Sequence, residues 1–188
     1  MDILAAFGLS ASAGLNAYIP LLTVSLLARF TDLITLNEPW SALESWWIIG
    51  LLGVLSLVEF FADKFPAVNH VNDIIQSFIR PAAGAILFAA SANVITDVHP
   101  VLSIGAGLLI AGGVHAVKSL AVRPAVTATT GGTANVPVSV AEDVVSTVMS
   151  VVSVILPILV AVLLVLLGIL IIWWTTRNTV DERDVPKG

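Results

Sequence analysis

Few side chains in this sequence can do chemistry, and they gather in two stretches. One is EFFADKFPAVNHVNDIIQSFIRP, Glu59 to Pro81; the other is HAVKSLAVRP, His115 to Pro124. Glu59 follows the apolar run LLGVLSLV and lies one helical turn before Asp63 and Lys64. A carboxylate set that close to hydrocarbon could exchange protons or bind a cation. His115 is its counterpart in the second stretch, because an imidazole changes charge near neutral pH. Lys118 lies three residues on, so both share a helical face. Asp73 and Arg80 accompany Glu59, and Asp143 lies downstream of His115. Together Lys64, Arg80, Lys118 and Arg123 could attract an anionic ligand or a lipid headgroup. Asn16 and Tyr18 lie between Gly14 and Pro20, where freed backbone could line a cavity. A structural reading stands beside this one: Glu59 pairs with Arg80 or Lys118 and locks the helices, while the outer charges sit among headgroups.

Enzyme chemistry has little to rest on, and none is expected. There is no HExxH and no GxSxG, and His70, His99 and His115 lack metal-site spacing. The acidic pairs do not form the DxxxD motifs of a prenyl-transfer enzyme. Gly131 and Gly132 lack the lysine and spacing of a P-loop. No cofactor or metal is implied.

Composition places these residues in lipid. The chain has 188 residues, of which 57% are hydrophobic and 11% charged. Its mean hydropathy is +1.00. A soluble domain carries roughly 25% charged residues. With lipid as the solvent, apolar side chains can face outward. A formal charge of −5 leaves no basic footprint for nucleic acid. With no cysteine, disulfide and thiolate chemistry are excluded.

The sequence predicts an all-α, polytopic transmembrane bundle of about five crossings in one domain, 1–174, with a polar tail at 175–188. The first segment, Ile3 to Arg29, is read as a retained helix, because Asp2 and the lack of Lys or Arg before Arg29 do not suit a signal peptide. Gly14 and Pro20 mark its expected break. Thr31 to Ser45 is a loop, and Trp40, Trp46 and Trp47 read as an interfacial belt. The second segment runs from Trp47 to Ala62. The third begins near Asp73, bends at Pro81 and ends near Val94, with Ala82, Ala85, Ala89 and Ala92 suited to close helix contact. In Val68 to Arg80, Ile74, Ile75 and Phe78 share one face, with Gln76, Ser77 and Arg80 elsewhere. The fourth segment, Val101 to Val122, is rich in Gly and Ala and closes at Arg123 and Pro124. Ala125 to Pro137 is expected to be a loop. Ser139 with Glu142 reads as a capping box that opens a long fifth segment to Trp174, kinked at Pro157.

An internal repeat organises the segments. With Lys64 placed over Lys118, NDIIQSF (from Asn72) corresponds to EDVVSTV (from Glu142), and Asp73 to Asp143. Unit one covers about 47–96 and unit two about 101–174. An even number of crossings separates them, so the repeat is parallel. The excess of Lys and Arg places both repeat loops and the N-terminus in the cytoplasm of a multi-pass cell-membrane protein.

GLNAYIP (14–20), EFFADKFPAVNHVNDIIQSFIRPAAGA (59–85) and HAVKSLAVRPAVTATTGGTANVPVSVAEDV (115–144) resemble a family of small bacterial membrane proteins, with relatives in plants, catalogued as a domain of unknown function. The resemblance covers about residues 3 to 172. It implies a polytopic helical membrane protein and carries no activity with it.

The expected function is transport or binding of a small solute or ion where the two units meet. Glu59 and His115 would respond to protons or cations, and Asn16 and Tyr18 would supply polar contacts. The lipid bilayer is the expected partner, and the small size suits a homodimer. The alternative is a non-transporting scaffold that docks a partner through small-residue faces at Gly107 and Ala111.

Overall fold

The computed structural model of the protein describes residues 3–62, 66–92, 99–156, 162 and 165–170, without the side chains of 66–71, 73 and 92. Every regular element among them is helical. They are α1 (Ile3–Leu15), α2 (Tyr18–Phe30), a 3₁₀ turn (Trp40–Glu44), α3 (Trp46–Ala62), α4 (Pro66–Ala92), α5 (Pro100–Val117), a π turn (Lys118–Val122), α6 (Arg123–Thr130) and α7 (Asn135–Ile155). Three helical stretches are long and apolar enough to cross a membrane: Ile74–Ser91, Pro100–Thr130 and Asn135–Ile155.

The outside of the bundle is apolar and much of its inside is polar. Ile74, Ile75 and Phe78 are exposed, whereas Gln76 and Arg80 on the same helix are buried. The same inversion holds on α7, where Val140, Val144, Val145 and Val148 face out and Ser139, Glu142, Ser146, Ser150 and Ser153 face in. Water would favour the opposite arrangement; hydrocarbon favours this one. Trp46 and Trp47 are exposed at the start of α3, as a belt requires, and the Arg29 guanidinium lies 4.4 Å from the Trp46 ring centroid. Trp40 instead packs on the core.

The first predicted segment is two helices rather than one. α1 has 13 residues, about 20 Å of rise, too short for a ~30 Å hydrocarbon core. Contacts show which way it runs. Ser10 Oγ donates to Gly84 O at 2.9 Å, and the Phe7 and Phe88 rings lie 5.3 Å apart. As the numbering rises along α1 it falls along α4, so these helices are antiparallel. α3 ends at Ala62 and α4 begins at Pro66, and Glu59 near the end of α3 meets Arg80 partway along α4, which fits two helices of opposite sense, with α3 running as α1 does. A straight α1–α2 span followed by α3 and α4 would make α1 and α4 parallel. The chain therefore turns back between α1 and α2, and Ile3–Phe30 is a hairpin of two half-length helices. Phe30 packs edge-on to Trp46, which fits an α2 antiparallel to α3.

This hairpin sets the end of the bundle at which Ile3 lies. Ile3 lies at the Ala92 end of α4, opposite the α3–α4 link. The α5–α7 connection lies at that link end, because Ser77 and Arg80 meet His115 near the end of α5. The end of α5 thus lies toward the start of α4, and Ile3 lies toward the other end of α4.

α1 is the centre of the bundle. Ala5, Ala6 and every residue from Gly8 to Gly14 are buried, and Phe7 is the one exposed side chain of the helix. Its small side chains let α4, α5 and α7 come close. A Cβ on Gly14 would lie 2.6 Å from Ala111 O and 2.6 Å from the Val114 Cβ. A Cβ on Gly84 would strike Ala111 Cβ and Gly107 O, and one on Gly107 would strike Gly84 O. The α4–α5 contact therefore runs through Gly84, Ala85 and Gly107; Ala85 and Ala89 are buried, whereas Ala82 faces out. Serines add polar joints: the Ser12 hydroxyl lies 2.8 Å from those of both Ser146 and Ser150.

Two further expectations change. Residues 123–130 form α6 rather than a loop, because their threonines satisfy themselves within the helix. Thr129 and Thr130 donate to Ala125 O and Val126 O, at 2.8 and 2.7 Å. Gly131 and Gly132 end it at φ +60° and +87°, a region that favours glycine. α7 then starts at Asn135, so Ser139 and Glu142 lie inside the helix and form no capping box. Pro157 lies outside the described residues, as do Asp97, Trp173, Trp174 and the tail.

Gly107→Ala should lower the melting temperature in detergent by several degrees, while Gly105→Ala, which meets nothing within 4 Å, should leave it within about one degree. Equal melting of the two variants would contradict the packing described.

Candidate functional site

The hairpin corner leaves backbone groups to satisfy. Ending α1 frees its last carbonyls, and starting α2 frees its first N–H groups. Asn16 serves the second set: its Oδ1 accepts from Tyr18 N and Ile19 N, both at 3.1 Å. That is an N-cap in function. Pro20 lies in the first turn of α2, where a missing N–H costs nothing. Lys118 serves the first set, donating from Nζ to Leu15 O at 2.9 Å. An ammonium at the carbonyl end of a helix also suits the helix dipole.

From this corner the polar side chains form two linked groups. In the first, Lys118 Nζ lies 2.7 Å from Glu142 Oε2, and Arg123 Nη2 lies 3.6 Å from the same oxygen. Asn16 Nδ2 donates to Asp143 Oδ1 at 3.0 Å. In the second, Arg80 Nη2 donates to Glu59 Oε1 at 2.9 Å, and Arg80 Nη1 lies 3.1 Å from His115 Nδ1. His115 Nε2 lies 3.1 Å from Ser77 Oγ. Arginine has only donors, so His115 Nδ1 must accept and Nε2 carries the proton. Arg80 thus selects one neutral tautomer of His115. The Tyr18 hydroxyl hydrogen-bonds Gln76, whose Oε1 is met by no donor among the described residues.

The electrostatics balance. Arg80, Lys118 and Arg123 stand against Glu59, Glu142 and Asp143, so the formal charges cancel with His115 neutral. Charges taken out of water need such pairing. The ion-paired side chains differ in exposure. The side chains are 15% exposed at Arg123, 10% at Glu142 and 4% at Lys118, then 1% at Glu59 and 0% at Arg80. Arg123 and Glu142 are the outer end; Glu59 and Arg80 are sealed.

Of the ten predicted site residues, seven come together: Asn16, Tyr18, Glu59, Arg80, His115, Lys118 and Asp143. Asp63 and Lys64 lie outside the described residues, as does the Asp73 side chain. Glu142, expected as a cap, and Arg123, expected to close the fourth segment and to help attract an anion, both bind in the network. Gln76 and Ser77 were also passed over. The signal for Glu142 was its spacing: 139, 142, 146, 150 and 153 fall on one helical stripe. Among the described residues no three His or carboxylate groups converge where a metal ion could sit.

Residues 3–177 match the sequence profile of the family described as Domain of unknown function (DUF4126), and the chain belongs to that family. No curated protein and no solved structure is similar to it.

Removing one member of the sealed pair should leave the other charge buried alone. Glu59→Leu and Arg80→Met should each destabilise the fold by roughly 3–5 kcal/mol. The double variant should recover more than half of that loss. Denaturation in mixed micelles reads both; additive losses would show that the two side chains are not coupled.

Proposed function

We propose that this is a multi-pass integral membrane protein that binds, and moves across the bilayer, a small solute or ion at the hairpin corner. One observation carries the reading. A broken helix at the centre of an apolar bundle is lined by a balanced set of charged side chains, of which Glu59 and Arg80 are the most deeply buried. Halting a helix inside hydrocarbon is costly unless the freed backbone has a use, and discontinuous helices with charged partners are how many transporters build their sites. Gln76 Oε1 adds a buried acceptor that no described donor meets, which suits a guest that brings its own proton.

The two-unit repeat fits this role. α3 and α5 run toward the repeat-loop end, and α4 and α7 run away from it. Glu59 and Arg80 come from the first unit; His115, Lys118 and Glu142 come from the second. The site lies where they meet. The Lys and Arg bias assigns the repeat-loop end to the cytoplasm, and with it the outer end of the network. A homodimer would complete a pathway that one small chain lines only in part.

The scaffold alternative loses its motive. Gly107 and Ala111, which offered a docking face, are packed against Gly84 inside the chain. No reaction is proposed: Ser77 Oγ lies beside His115, but Nε2 of that ring carries the proton and cannot serve as a base.

Swelling of proteoliposomes tests the reading. Vesicles holding the protein, placed in sodium chloride, potassium acetate, sodium phosphate or ammonium chloride, should swell faster than empty ones in at least one medium. Glu59→Gln, which keeps a hydrogen-bond acceptor for Arg80, should slow that swelling at least tenfold when compared at equal amounts of folded protein in the vesicles. Rates equal to those of empty vesicles in every medium would count against transport.

A further inference from the structure

Five residues along an α-helix separate two side chains by about 140° around the axis. Lys118 and Arg123 are five apart, yet both reach Glu142 Oε2. The π turn between them explains this. The Arg123 backbone N–H bonds Lys118 O, an i+5 to i closure that stacks one residue over the other. Pro124 follows and lacks the N–H that an α-helical turn would direct at Leu120 O. The wide turn therefore aims two cations at one point, 2.7 and 3.6 Å from a single carboxylate oxygen. Single-turn π bulges inside α-helices are frequent at functional sites.

We propose that Lys118 and Arg123 form a binding site for a small oxyanion, a carboxylate or a phosphate, and that Glu142 occupies it as a built-in stand-in when no ligand is present. This rests on the solute-site reading above and names the class of solute. Three features make the exchange feasible. Lys118 is held from its other side by Leu15 O, so its ammonium stays in place when Glu142 leaves. An incoming anion replaces an anion, so no net charge is added to the interior. Arg123 is 15% exposed and Glu142 10%, against 4% for Lys118, so the carboxylate can swing outward rather than deeper. Asp143 is the next residue on α7, but its Oδ1 faces Asn16 Nδ2 at the corner. The site thus has two donors of positive charge, one displaceable acceptor and an open side.

The test is the melting temperature of the purified protein in detergent at constant ionic strength, titrated with inorganic phosphate, with acetate, with short-chain phosphatidic acid and with sodium against potassium. Wild type should show a saturable rise with at least one of the three oxyanions. Glu142→Gln removes the competitor and should tighten that apparent affinity at least tenfold, measured from its own baseline. Arg123→Gln, at the exposed rim, should weaken it at least tenfold. A rise with phosphatidic acid alone would support the oxyanion site and identify a lipid headgroup as its source; a rise with free phosphate or acetate would identify a soluble ligand. A rise with sodium or potassium alone would overturn the oxyanion assignment and leave the solute-site reading standing. No saturable rise in wild type or Glu142→Gln, or a rise that Arg123→Gln leaves unchanged, would overturn the proposal.

Discussion

The structure depends on stopping a helix where there is no water to receive its ends. Every backbone group freed between Leu15 and Ile19 must find a partner in the protein. Asn16 and Lys118 supply those partners from opposite directions, one through its amide oxygen and one through its ammonium. Bringing an ammonium to that depth then requires an anion, which Glu142 provides. Each polar group thus makes the next one necessary. The network ends where it reaches the sealed Glu59–Arg80 pair on one side and the exposed rim at Arg123 on the other.

Close helix packing is the second half of the same solution. Lys118 can reach Leu15 O only because α5 lies hard against α1, and α5 lies there because Gly14 has no side chain to hold it off. Gly84 and Gly107 do the same between α4 and α5, which brings Arg80 to His115. The serine stripe of α7 keeps that helix thin and hydrogen-bonded to α1, which sets Asp143 at Asn16. Uncharged glycine and serine positions therefore fix the geometry of the charged centre.

Much of this was legible in the sequence. Low charge and high hydropathy pointed to lipid, and a Gly and a Pro around Asn16 pointed to a broken helix. The pairing of Glu59 with Arg80 was one of two options weighed from their placement alone. What could not be read was direction. Whether a break is a kink or a return depends on long-range contacts such as Ser10 with Gly84, which no local pattern encodes. That single choice sets the end of the bundle at which Ile3 lies. Glu142 was missed because Ser-x-x-Glu has the same spacing at a helix start as along a buried stripe. The threonine-rich helix α6 was missed because its stabilising bonds run from side chains to carbonyls, against the usual preference of threonine.

The central claim is that the polar centre opens to water from the repeat-loop end. The chain has no cysteine, so a single introduced thiol reports without interference. Ser139 lies between the loop end of α7 and Glu142 on the buried face, and Ser153 lies on that face beyond the corner. In proteoliposomes, Ser139→Cys should react with a membrane-impermeant thiol reagent from one side only, and Ser153→Cys should not react from either. An inert Ser139→Cys would contradict the claim and make the charged centre a structural lock.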